Sequence, residues 1–351
     1  MSETVAVVLA GGRGTRLYPA STGETPKQFR RFGGSESLLA RTVARAESVA
    51  DHVYVLTRSA YADEAREHAP TADLLVEPEP KDTAPALVYA AHELRGRHDD
   101  PVLVNLPSDH HTGDGYPAAL ERASAVARET GGLVTLGVEP TRAAVEYGYL
   151  KPGESHGDYH AVAAFKEKPD PGAAARYRQH GYLWNAGIFA WKPTALLSAA
   201  RAIAASQRAE QADVTGESDT RPAEGTGLEE FLETLATDPA AAFAAVDPVS
   251  VDRAILENTD DAYVLPADFA WDDLGSWDAF ERVLAGDEAG NVALGDTLAL
   301  DCDDCVLAAG EDDHVAAVGV SNLVVATYDG RTVVVPKRSA QRVREVVDAL
   351  D

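Results

Sequence analysis

The sequence predicts an α/β protein: a mainly parallel sheet covered by helices on both faces, followed by a small all-β module and a closing helix. Three observations lead there. Short apolar strands alternate with amphipathic helices up to Val138, the rhythm of a sheet wrapped on both sides. A glycine-rich turn directly follows the first strand. Beyond Asn291, short Val/Leu/Ala runs are separated by Gly, Asp and Asn, the spacing of a few β-solenoid coils.

Val5 to Leu9 reads as a buried strand running into "AGGRGTR". Ser37 can cap a helix over "LLARTVARAESVA", in which Leu39, Val43, Ala46 and Val49 share a face. "HVYVLT" is a second strand and "YADEAREHA" a helix. Asp82 stands at the cap of "TAPALVYAAHELRG", with Pro85 in the first turn, where a missing N–H costs little. "PVLVNL" is a strand ending at Pro107, then a helix covers Pro117 to Glu129 and a strand Leu133 to Val138. From Tyr147 to Ala190, "YGYL", "YHAVAAFKEKPD" and "YLWNAGIFAW" suggest strands that extend or cover the sheet. Gln207 to Gly227 is polar and reads as an exposed connection between helices. A boundary is expected near Gly286 to Gly290, separating residues 1–286 from a module at 287–351, whose last helix "AQRVREVVDAL" Ser339 would cap.

Of 351 residues, 45% are hydrophobic, enough for one large domain and a smaller module. With 31 Lys plus Arg against 57 Asp plus Glu, the net charge is −26, which disfavours nucleic acid or an anionic membrane as a partner. Lysine is scarce, present only at Lys27, Lys81, Lys151, Lys166, Lys168, Lys192 and Lys337. This acidic, lysine-poor, alanine-rich composition is similar to that of proteins from salt-in halophiles. No apolar run reaches the roughly 20 residues that span a bilayer, and the N-terminus lacks a signal-peptide pattern, so the expected location is the cytoplasm. Cys302 and Cys305 form one isolated C-x-x-C; without further ligands or a βαβ context they are expected to be reduced thiols.

The strongest local signal is "LAGGRGTRLYP" at Leu9–Pro19, followed by "TPKQF" at Thr25–Phe29. Ligands of open α/β sheets bind beyond the carboxyl ends of strands. There Gly11, Gly12 and Gly14 let backbone amides approach an anion, and Arg13, Arg16 and Lys27 add positive charge. The loop suits a nucleoside triphosphate, yet it matches neither the Walker nor the dinucleotide spacing. A plain tight turn would explain the glycines but not the scarce lysine in "PKQF".

"GGRGTRLYP…PKQF" resembles the signature of the sugar-1-phosphate nucleotidyltransferases, and "PKQF" most resembles the mannose-1-phosphate guanylyltransferases. "EPEPKDTAPA", "LPSDH", "EYGYL", "FKEKPD", "WNAGIFAW" and "PADFAWDDLGSWDAF" follow in that family's order, covering nearly the whole chain. The resemblance implies a Rossmann-like nucleotidyltransferase domain that transfers GMP from GTP to mannose 1-phosphate, releasing pyrophosphate. The reactants are both anionic, and two like charges 4 Å apart repel by about 4 kcal/mol at an effective dielectric of 20, so cations and Mg²⁺ are expected at the site. Asp109 and Asp273 would hold that ion, with Asp272 at the family's variable position. Arg13 would hold the leaving phosphates, Lys27 the α-phosphate region, and Lys168 the phosphate of the sugar phosphate. Glu167 and Asn185, with backbone near Gly148 and Gly187, would bind sugar hydroxyls. Thr83 and the backbone near Ala84 could read the base edge, while Asp82 can simply cap the helix; "KDTAP" departs here from the commoner R-N-T-A-P. All four tryptophans are expected around the sugar pocket. The resemblance further implies a homodimer and, without the cupin-type isomerase domain of some relatives, no mannose-6-phosphate isomerase activity. UTP or dTTP with glucose 1-phosphate is the nearest alternative; a non-catalytic nucleotide-sugar-binding homologue is another.

Overall fold

A computed structural model describes residues 3–213 and 227–350. Among the described residues ten strands precede residue 270: β1 (Thr4–Leu9), β2 (His52–Arg58), β3 (Asp73–Glu77), β4 (Val102–Pro107), β5 (His111–Thr112), β6 (Leu133–Val138), β7 (Tyr149–Ser155), β8 (His160–Lys166), β9 (Leu183–Trp191) and β10 (Ala262–Ala267). Nine of them form one sheet in the order β3-β2-β1-β4-β9-β6-β10-β8-β7. β1 pairs parallel with β2 and β4, β2 with β3, and β10 with β6, whereas β9 runs antiparallel to both β4 and β6. β9 therefore lies inside the sheet and not at its edge or over its face. Only β7 and β8 extend the edge, as an antiparallel pair.

Helices α1 (Leu38–Glu47), α2 (Ala62–His68), α3 (Thr83–Arg95), α4 (Tyr116–Thr130), α5 (Pro171–Gln179), α6 (Pro193–Asp213), α7 (Leu228–Thr234), α8 (Pro239–Ala245) and α9 (Val251–Ala254) connect and cover these strands. Ser37 caps α1 by accepting from Ala40 N at 3.1 Å, and Asp82 accepts from Thr83 N at 2.7 Å. Two apolar cores result, one on each face: Leu87, Trp191 and Phe243 belong to one, Leu39, Val104 and Leu120 to the other. β3 carries no strong alternating pattern, so its place was visible only once β2 offered it a partner. α6 continues through Asp213, beyond the start of the expected polar connection at Gln207; residues 214–226 lie outside the described residues. Among the described residues no helix is long and apolar enough to cross a membrane.

After β11 (Trp271–Asp272) and α10 (Phe280–Val283), the chain enters a β-helical module made of β12 (Val292–Leu294), β13 (Thr297–Leu300), β14 (Val306–Ala309), β15 (Val315–Val318), β16 (Leu323–Tyr328) and β17 (Arg331–Pro336). β12, β14 and β16 stack in parallel, β17 closes that sheet antiparallel, and β13 pairs parallel with β15. Cys302 and Cys305 are free, buried thiols inside the coils. The closing helix differs from expectation: Ser339 lies within a 3-10 segment, Lys337–Arg342, and α11 (Val343–Asp348) follows it with Arg342 at the N-cap position and no side-chain cap. The module shares a core with the first domain, since Leu17, Ala20, Phe32, Trp277 and Phe280 pack with Val306, Val324 and Tyr328.

Candidate active site

The glycine-rich loop leaves β1 at the carboxyl edge and is stitched in place by side chains that flank it. Gln28 Nε2 donates to Ala10 O at 2.9 Å and Gly12 O at 3.1 Å, and Thr57 Oγ1 donates to Ala10 O at 3.0 Å. Gly14 has φ +64°, and a Cβ there would lie 2.5 Å from the Cβ of Lys27; only glycine admits this approach. Gly12 meets nothing within 4 Å of where a Cβ would stand, so its backbone is open to a ligand. Arg13 is exposed in the same loop. Arg58, at the end of β2, is lowered from the usual arginine range by burial first and then by Arg13.

Lys27 is the hub. It is only 3% exposed, and its Nζ donates to Asp109 Oδ2 at 2.9 Å and to the backbone O of Asp273 at 2.7 Å. Burial alone would lift Asp109, but Lys27 and His110 outweigh it and hold the carboxyl below its usual range. Asp273 Oδ1 accepts from Tyr147 OH at 2.9 Å and from Gly275 N at 2.9 Å. Burial, then the charges of Asp273 and Asp272, keep the Tyr147 hydroxyl protonated. Asp272 faces elsewhere: Arg282 Nε donates to its Oδ2 at 2.6 Å and Nη2 to its Oδ1 at 3.2 Å.

An aromatic wall flanks this centre. Tyr147 sits 5.1 Å from Trp184 and 5.0 Å from Trp271, edge to face, and Trp271 Nε1 donates to His110 Nδ1 at 3.2 Å. The other two tryptophans depart from expectation. Trp191 is fully buried beside Phe189 in a sheet core, and Trp277 in the core shared with the β-helical module.

Beyond the wall the expected sugar-side residues come together. A Cβ on Gly148 would meet Glu167 Oε2 at 2.6 Å and Asn185 Cβ at 3.4 Å. Lys168 Nζ donates to Glu167 Oε1 at 2.7 Å, and Lys168 holds φ +44° although a proline follows it, a backbone state found mainly where a site demands it. Gly187, also left-handed, faces His110 and Pro107.

Two observations concern the base side. Thr83 Oγ1 accepts from Val251 N at 2.9 Å, and Ala84 N donates to Val249 O at 3.0 Å. These groups tie α3 to the start of α9 and the residues just before it, so the Ala84 amide is already committed. Glu77, to which the sequence reading gave no role, ends β3 with 6% exposure, and its Oε1 would lie 2.8 Å from a Cβ on Gly11. Burial raises its carboxyl to about 7, with Arg58 opposing. Its signal in the sequence was its place at the head of the segment "EPEPKDTAPA", where it was given no role.

Comparison with known proteins gives a family for each part of the chain. Residues 5–290 match the family described as Nucleotidyl transferase, and residues 295–350 the MannoseP isomerase/GMP-like beta-helix domain. The Xanthan biosynthesis protein XanB of Xanthomonas campestris pv. campestris is 36% identical over 100% of this chain and 74% of its own length. The mannose-1-phosphate guanylyltransferase RfbM of Salmonella typhimurium is 33% identical over 98% of this chain and 72% of its own. A crystal structure of a mannose-1-phosphate geranyltransferase from Thermus thermophilus superposes with a TM-score of 0.87 at 34% identity, covering 99% of both chains.

Proposed function

This chain belongs to the nucleotidyl transferase family, and from that membership we propose that it is a mannose-1-phosphate guanylyltransferase, joining GTP and mannose 1-phosphate into GDP-mannose and pyrophosphate. The observation that carries the reading is the convergence of Lys27, Asp109 and Asp273, from three remote segments, on one point beside the glycine loop. Relatives named for the same activity support the substrate pair.

The chemistry is an in-line attack by a sugar-phosphate oxygen on the α-phosphorus of GTP. It needs positioning and charge neutralisation and no protein nucleophile. Lys27 Nζ ties the Asp109 carboxylate to the backbone carbonyl of Asp273, and the carboxylates of these two residues supply oxygen donors of the kind that fits Mg²⁺. Asp109 and Asp273 would hold the ion, which when bound would neutralise triphosphate charge. Lys27 binds near the α-phosphate, and Arg13 holds the departing pyrophosphate with the open amides around Gly12. Tyr147 fixes the Asp273 carboxylate. Lys168 takes the phosphate of the sugar phosphate, and Glu167 and Asn185 take its hydroxyls.

Glu77 supports guanine. The guanine edge presents neighbouring N–H donors that one carboxylate can accept as a pair, whereas uracil presents a single N–H between two carbonyls that repel it. Residues 1–286 are read as the catalytic domain and 287–351 as the β-helical module. Leu298, Leu300 and Val318 are exposed on adjacent strands of that module, which supports a homodimer, checkable by light scattering. Cytoplasmic location remains part of the same proposal.

Pyrophosphate release measured across GTP, UTP, dTTP and ATP with mannose 1-phosphate and glucose 1-phosphate tests the reading. GTP with mannose 1-phosphate should dominate; a preference for UTP with glucose 1-phosphate would refute it. Glu77→Gln should lower kcat/KM for GTP roughly 10- to 100-fold, the scale of a hydrogen bond to a charged group.

A further inference from the structure

The segment from Val249 to Glu257 touches both halves of the cleft. At its start, Val249 N donates to Lys81 O at 3.2 Å, and Val249 O and Val251 N bond Ala84 and Thr83 at the head of α3. Further along, Asp252 Oδ1 accepts from Asn185 Nδ2 at 2.7 Å, and Glu257 Oε1 accepts from Glu167 N at 3.0 Å. The Asn185 amide cannot be turned over. Its Oδ1 already accepts from Thr135 Oγ1 at 2.8 Å and Gly187 N at 3.2 Å, so Nδ2 must face Asp252.

We propose that Asp252 is a specificity-determining residue of the sugar pocket, its carboxylate accepting hydrogen bonds from the hydroxyls of the bound hexose. The inference rests on the functional reading above and adds a residue that none of the family motifs in the sequence contains. Asn185 satisfies one of the roughly four lone-pair positions of a carboxylate, leaving acceptor capacity beside Glu167. The groups facing Asp252 are Glu167, Lys168 and Asn185, with Glu257 bonded to the backbone of Glu167. Two neighbouring acids with a single lysine form a poor site for a second anion. They suit the neutral, donor-rich hydroxyl edge of a sugar, with Lys168 left for its phosphate. Burial, and then the charge of Glu167, push Asp252 up to about 7. Hydroxyl donors stabilise the ionised form, so sugar affinity should rise as pH rises through that value.

The test is steady-state kinetics of the full chain and of Asp252→Asn, which keeps the shape and the folding contacts close to native. Expected is a roughly 10- to 100-fold higher KM for mannose 1-phosphate, a KM for GTP within about twofold, and a thermal midpoint near that of the unaltered protein. The pH dependence of the mannose 1-phosphate KM should also flatten around pH 7 in the variant; ionisation of the substrate's own phosphate is common to both proteins and drops out of the comparison. An unchanged KM for mannose 1-phosphate, or an equal rise in the KM for GTP, overturns the inference. A protein that turned over another hexose phosphate instead would overturn the mannose reading alone, and the same variant measured with that sugar would still decide the role of Asp252.

Discussion

Adjacent carboxylates in "WDDLGSW" point to different partners, Asp272 to Arg282 and Asp273 to Tyr147 and Gly275 N, while the backbone carbonyl of Asp273 accepts from Lys27. Their substitutions should separate cleanly. Asp273→Asn should lower kcat at least about 100-fold with little change in thermal midpoint, because it alters charge where phosphates react. Asp272→Asn should instead cost roughly 1–3 kcal/mol of stability, since it removes the buried one of the two carboxylates that pair with a partly buried arginine, leaving only Asp278. Activity assays paired with denaturant unfolding read both, and a stable, inactive Asp272 variant would reverse the assignment. Glu77 has a pH signature. Its folded-state value near 7 lies above the ordinary 4.5, so the folded protein holds the extra proton and stability falls as pH rises from about 4.5 through 7. Glu77→Gln removes that loss. Relative to the unaltered chain, it should gain up to about 3 kcal/mol between pH 4 and pH 8; an equal stability difference at both pH values would show the carboxyl to be unperturbed.

At the scale of elements, the loop that carries Lys27 is held by the β-helical module as much as by the sheet. Arg30 Nε donates to Ala20 O at 2.5 Å while its guanidinium pairs with Asp329 in the β16–β17 turn. Arg31 pairs with Glu311 at 2.5 Å, Trp277 Nε1 donates to Tyr18 O at 3.0 Å, and Phe32 packs among Trp277, Phe280 and Tyr328. The exposed ion pairs alone are worth at most about 1 kcal/mol each, but the apolar insert is fully sequestered. Phe32→Ala should therefore cost about 3–5 kcal/mol and lower kcat more than the global stability loss explains at temperatures where the chain stays folded. Gly14→Ala places a side chain against Lys27 at positive φ; a loss of turnover of at least tenfold with the circular dichroism spectrum retained is expected, and full activity would show that the loop can yield.

Across the whole molecule, a net charge of −26 repels itself in dilute buffer and is screened when the Debye length falls to about 3 Å in molar salt. The thermal midpoint should rise between 0.1 and 2 M KCl; a flat or falling midpoint would remove the salt-adaptation reading of the composition. The alternation of strands and helices up to Val138, the caps at Ser37 and Asp82, the solenoid spacing after Asn291 and the glycine loop were all legible along the chain, because each depends on residues within a few positions of one another. The cleft was legible only as a set of separate motifs. The insertion of β9 between β4 and β6, the late start of α11, the division of the tryptophans between the cleft and two cores, and the selection of Glu77 and Asp252 were not. Each of these depends on partners from distant segments, and no local pattern records which strand will lie beside which. By itself the sequence determined the local elements and the chemical types gathered at the carboxyl edge. The tertiary structure decided which carboxylates face Lys27, which face the sugar side and which merely hold the fold, because a buried charge takes its role from whatever packing brings within about 3 Å of it.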